Sequence, residues 1–152
     1  MFDIIRFRSE VNPDFFGFER FYFLEEAKGK ILQAESLEKA ATLRNRKALI
    51  LLQDHAFDEG ALKLIAEKKQ LCFLIDLGRL IRSRGVSRAV AMSKLRNFLR
   101  LCNKYGAFYS FASFAENESQ IRTTDELMHI AMLLGVNRGQ ARFALEMAGG
   151  YL

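Results

Sequence analysis

Proline is almost missing from this chain: Pro13 stands alone among 152 residues, and the ten glycines follow no repeat. Those two scarcities exclude a linker-dominated or low-complexity protein. Sulfur is equally scarce, with Cys72 and Cys102 each set inside an apolar run. A disulfide framework is thereby excluded, and both cysteines read as small buried hydrophobes of a reducing compartment. No apolar run approaches the roughly 18 residues of a membrane span. Asp3, Arg6 and Arg8 fall where a secretory leader would need an apolar centre, so the expectation is a cytoplasmic protein. Tryptophan is absent and histidine is limited to His55 and His129. With no Gly-x-Ser-x-Gly, P-loop or Cys-x-x-Cys pattern, the chain carries little of what catalysis requires.

The most informative absence is local. Between Arg79 and Lys104 there are eight Lys or Arg and not one Asp or Glu, while the rest of the chain is slightly acidic. The net charge of +5 therefore resides in one stretch. Such a concentration suits contact with a polyanion, because neutralised phosphates release condensed counterions.

What is present describes an α/β protein. Short runs at Phe2 to Phe7, Gly29 to Ala34, Lys47 to Gln53, Gln70 to Asp76 and Ala107 to Ala112 read as five strands, several covered on both faces. Helical patterns alternate with them: Leu37 to Arg46 behind a Ser36 cap, the stretch after Asp58, the long basic helix, one opened by a Thr123 and Glu126 capping box, and Asn137 to Met147. The expectation is a single domain, residues 1–152, with helices outside a mainly parallel sheet. The aromatic crowd from Phe15 to Phe23 reads as core, with base stacking as the alternative.

At about 100° per residue, Ala91, Leu95, Phe98, Leu99, Cys102 and Tyr105 share one face of the basic helix, and Arg96, Arg100 and Lys104 lie opposite. Three cations at i, i+4 and i+8 form a ladder able to follow a phosphate backbone. Arg79, Arg82, Arg84 and Arg88 surround Gly85 in what reads as a loop at a strand's carboxyl end, where α/β proteins gather ligands. A metal-dependent phosphoesterase using Asp54, His55 and Asp76 is an alternative, although such sites want more histidines. A basic module docking an acidic protein is another.

The second half also carries a family pattern. Leu74-Ile75-Asp76-Leu77, the basic stretch, Leu95-Arg96-Asn97, Lys104-Tyr105-Gly106, Ser113 with Ala115, Arg122-Thr123-Thr124-Asp125-Glu126-Leu127 and Leu133-Leu134-Gly135 resemble archaeal ribonuclease P protein component 3. The likeness covers residues 70–137 well and the earlier part in outline. It implies a TIM-barrel-like subunit of the ribonucleoprotein that removes the 5′ leader from precursor tRNA. Catalysis, with its magnesium, would then belong to the RNA subunit, and no cofactor to this chain. A small ferredoxin-like protein subunit is the implied partner. Lys104 and Arg122 fall at basic positions linked to RNA function by the resemblance; Arg82, Arg84, Arg88, Arg96 and Arg100 join them from charge and helical phase. Two departures stand out. The chain is short for the family, which predicts a reduced or incomplete barrel with an exposed apolar edge, and Phe114 occupies a place where glycine is usual.

Overall fold

The computed structural model of the protein describes residues 1–56 and 58–152. The strands are β1 (Phe2–Ile5), β2 (Arg20–Phe23), β3 (Ile31–Ala34), β4 (Ala48–Leu52), β5 (Leu71–Asp76) and β6 (Phe108–Ala112). Between and after them come α1 (Leu24–Ala27), α2 (Leu37–Thr42), α3 (Glu59–Lys68), α4 (Leu77–Arg82), α5 (Gly85–Tyr105), α6 (Thr124–Leu133) and α7 (Arg138–Met147). Every ladder is parallel, in two sheets: β3-β4-β5-β6 and β1-β2.

The five expected strands are thus six among the described residues, because the aromatic crowd divides. Pro13–Phe16 makes a 3₁₀ turn and Arg20–Phe23 makes β2. Phe18 and Phe21 are buried and Phe15 is exposed, so the stretch is chiefly core. The helix after Ser36 is shorter than expected, ending at Thr42.

The two sheets meet at a seam. Phe114 N–H donates to the Ile4 carbonyl at 2.9 Å and Arg6 N–H to the Ala115 carbonyl at 2.8 Å, so the chain beyond β6 continues alongside β1. Buried Asp3 stitches the same place: its carboxylate accepts from Ile4 N–H at 2.8 Å, from Ser113 N–H at 2.7 Å and from the Ser113 hydroxyl. Phe114 sits in the left-handed region at φ 47° with its ring buried. A side chain in that conformation costs on the order of 1 kcal/mol, which is the physical reason glycine suits the position. Among the described residues no ladder joins β2 to β3, so the expected reduced barrel is open on that side.

Strand alternation sorts the core into two layers. Ile4, Ile31, Leu49, Cys72, Leu74, Ala112 and Phe114 pack together on one face of the strands. Ile5, Ile50, Phe73, Ile75 and Phe111 lie on the other, beneath helical residues such as Leu62, Phe98, Leu99 and Leu127. Gly78 lets α4 press against the end of β6, since a Cβ there would overlap the Ser113 carbonyl. This sets the start of α5 at the carboxyl ends of β4 and β5.

Candidate nucleic-acid interface

The basic stretch is helical almost throughout, not a loop followed by a helix. Asp76 caps α4, accepting from Arg79 N–H at 2.8 Å. Arg79 and Arg82 therefore stand on α4, and only Ser83 and Arg84 connect it to α5, which already includes Arg88. The expected loop is absent because an Asp three residues before a backbone donor is enough to start a turn of helix at a strand end.

At this carboxyl-end rim the cations answer to carboxylates. Asp76 lies 3.7 Å from Arg6 and 3.9 Å from Arg82. Burial raises its pKa, and the Arg79 N–H together with the three arginines opposes that rise. Lys94 reaches Asp54 at 4.0 Å, near a pocket of about 420 Å³ that Arg79, His55, Val86 and Val90 also line. His55 packs its ring edge-on against Phe98 with centroids 4.9 Å apart, and burial pushes its pKa down to about 4. It is a neutral packing residue at pH 7. Asp54 and Asp76 both face cations, and among the described residues no group of three His, Cys, Asp or Glu could hold a metal.

The exposed side of α5 is different. Leu95, Phe98, Leu99, Leu101 and Cys102 are buried, and Arg96, Arg100 and Lys104 are exposed as helical phase requires. The ladder's slow drift separates its members. Lys104 swings onto α3, where it meets Glu59 at 3.3 Å. Arg96 instead donates to the Leu133 carbonyl at the end of α6, at 2.8 Å, and Arg100 donates to Asn97 at 2.8 Å. Neither contact neutralises charge, so two guanidinium groups stand side by side with their positive charge intact.

The remaining expected residues fall elsewhere. Arg84 is exposed at the start of α5, and Arg88 donates to the Ile81 carbonyl at 2.8 Å. Arg122 is half-buried and folds onto its own loop, donating to the Ser119 carbonyl at 3.0 Å. That loop reaches the rim through Arg82 and Gln120, 3.5 Å apart. The structure thus divides the seven expected residues into a rim group of Arg82, Arg84, Arg88 and Arg122, an outer pair of Arg96 and Arg100, and a paired Lys104.

Sequence reasoning missed the partner surface of the outer pair. Asn137 and Gln140 form a reciprocal capping box at the start of α7, and Phe143 on α7 is 56% exposed. A phenylalanine on the polar side of a helix whose buried side is Ala141, Ala144 and Leu145 was the signal that could have exposed it.

No protein-family model matches the chain. It is similar to "Ribonuclease P protein component 3" of Archaeoglobus fulgidus, with 26% identity over 170 aligned positions that take in 93% of this chain and 84% of the relative. The chain resembles archaeal ribonuclease P protein component 3. The component 3 likeness extends beyond residues 70–137 to nearly the whole sequence. A chain from a cryo-EM structure of archaeal ribonuclease P with mature tRNA shares the fold, with a TM-score of 0.74 over 99% of this chain and 89% of that one. Its sequence identity is 16%, so that likeness concerns the fold.

Proposed function

We propose that this chain is an RNA-binding protein subunit of ribonuclease P, assisting a catalytic RNA in removing the 5′ leader from precursor tRNA. The observation that carries the reading is the component 3 likeness along 93% of the chain. The uncompensated charge of Arg96 and Arg100 supports it, because contacts that leave a guanidinium cationic leave it able to bind phosphate through two parallel hydrogen bonds. In this reading Arg82, Arg84, Arg88 and Arg122 add a second basic area at the rim, and Lys104 contributes least because Glu59 already engages it. Magnesium and bond cleavage belong to the RNA subunit, a small ferredoxin-like protein subunit is the partner, and the cytoplasm is the site of action.

Reconstitution tests this directly. Precursor-tRNA cleavage by the RNA subunit with the small protein subunit should rise when this chain is added, and Arg96→Ala with Arg100→Ala should remove most of the gain while leaving the fold intact by circular dichroism. Cleavage that is indifferent to the chain would end the proposal. The purified chain alone, with magnesium or manganese, should cut nothing; nuclease activity abolished by His55→Ala would establish the phosphoesterase reading instead.

A further inference from the structure

Two hollows adjoin along the outer side of α5, and together they combine cations, amide side chains and an exposed aromatic ring. One, of about 360 Å³, is lined by Arg96 and Arg100 and by the α6–α7 turn at Gly135. The other, of about 460 Å³, lies between the end of α5 and the first turns of α7 and includes Phe143. Asn103 and Gln140 border both, so the hollows form one groove. Among the described residues no Asp or Glu lines either of them, in contrast to the rim pocket, which contains Asp54 and Asp76.

The polar groups along this groove are half engaged. The Asn103 side-chain oxygen accepts from the Tyr109 hydroxyl at 3.0 Å, and the Gln140 oxygen accepts from Asn137 N–H at 2.9 Å. Both contacts use the acceptor, which leaves the amide N–H₂ groups as donors toward the groove. The groove thus offers cations at one end, amide donors in the middle, and an exposed aromatic ring at the other end. The amino end of α7 adds the positive pole of a helix dipole.

We infer that this groove takes unpaired nucleotides of single-stranded RNA, with successive phosphates on Arg96 and Arg100 and a base stacked on Phe143. The inference rests on the RNA-binding reading and narrows it to strand rather than duplex. Duplex RNA is met through its backbone and 2′-hydroxyls and conceals its base faces, so it has no use for an exposed ring or for amides that read base edges. A single strand uses all three, because every base has a face to stack and stacking tolerates any sequence. The cationic end and the lack of carboxylates supply the charge complementarity.

The test is fluorescence anisotropy of the full chain with a labelled single-stranded oligoadenylate and with an RNA duplex of the same length. Phe143→Ala should weaken strand binding about tenfold, the effect of one lost stacking contact, and leave duplex binding unchanged. Phe143→Trp should restore it. Arg96→Ala with Arg100→Ala should weaken the strand and reduce the slope of log affinity against log salt by about 1.4, for two phosphates on a single strand. Lys28→Ala, at an exposed position just after α1, should change nothing. Strand affinity untouched by Phe143→Ala, or equal losses on strand and duplex, would overturn the inference. So would displacement of the strand by an oligoglutamate peptide whose own binding requires Phe143, since that assigns the groove to an acidic protein. A wild-type chain that stimulates precursor-tRNA cleavage while Phe143→Ala leaves strand affinity intact would sink the groove alone; a wild-type chain that gives no stimulation would sink the subunit reading itself.

Discussion

The two sides of α5 spend their charge in opposite ways. Toward the rim and α3, Arg6 and Arg82 face Asp76, Lys94 faces Asp54, and Lys104 faces Glu59. Toward α6 and α7, Arg96 and Arg100 hydrogen-bond to a carbonyl and an amide oxygen and, among the described residues, to no carboxylate. The first arrangement fixes elements to one another. The second keeps cations available to an outside polyanion. A count of basic residues cannot tell them apart, although their effect on a nucleic acid differs at every ionic strength.

Asp3 at the seam and His55 and Asp76 at the rim sharpen the contrast most strongly, because their shifts belong to the paired side and the seam. Asp3 is held up to about 6 by burial, against 3.8 when unfolded. A carboxyl with a raised folded pKa gives stability that is fullest below the unfolded value and is lost as pH rises through the folded one. His55, down at about 4 from 6.5, works in the other direction: its contribution is full above the unfolded value and is lost as pH falls toward the folded one. Between about pH 4 and 6 the two slopes oppose each other. Asp3→Asn keeps the acceptor for Ser113 and Ile4 and removes one downward slope, so the stability of that variant relative to the wild type, by urea unfolding, should rise with pH across this window. His55→Gln should leave the Asp3 slope, reinforced by Asp76, and should fall by roughly 3 kcal/mol across it. Strand-RNA affinity should stay level between pH 5 and 8 in both variants, since no group titrating there lines the groove. A pH-dependent affinity would break the distinction between the two sides.

Asp76→Asn probes the rim more gently. Asparagine retains the cap on α4, so the melting temperature should hold. Removing the carboxylate charge frees Arg6 and Arg82, and RNA affinity should rise about threefold, the scale of a weak ion pair whose arginine side is partly exposed. A fall in affinity would mean that the pair positions those arginines instead of masking them. The smallest effect is expected from Lys104→Ala: a loss in stability of about 0.5 kcal/mol or less, measured by urea unfolding, as for other exposed pairs. Its loss in RNA affinity should be well below that of Arg96→Ala.

Why the sequence revealed some of this and not the rest follows from range. Strands β4 to β6 were legible as apolar runs because both faces of each are covered. β2 was hidden because its aromatics merge with the Phe15 to Phe18 turn, and α4 because its apolar period of Leu77, Leu80 and Ile81 spans fewer than two turns. Helical phase found the exposed face of α5, which needs only neighbours one turn away. It could not find Glu59, which comes to Lys104 from 45 residues earlier in the chain, nor Asp54 beside Lys94. The difference between a structural cation and an available one is a long-range fact. The seam was half visible, since Phe114 in a place suited to glycine pointed to an unusual backbone without saying which strand it would join.

That seam also sets a timetable. Asp3 and Ser113 are separated by 110 positions along the chain, so the first strand leaves the ribosome long before its second neighbour exists. Until residue 115 emerges, β1 lacks its second neighbour, in addition to the β2 edge that carries no ladder in the finished fold. Closure over such a span is entropically slow, which makes docking of the opening pair the natural last step of folding and the stage at which a nascent chain is most exposed to aggregation.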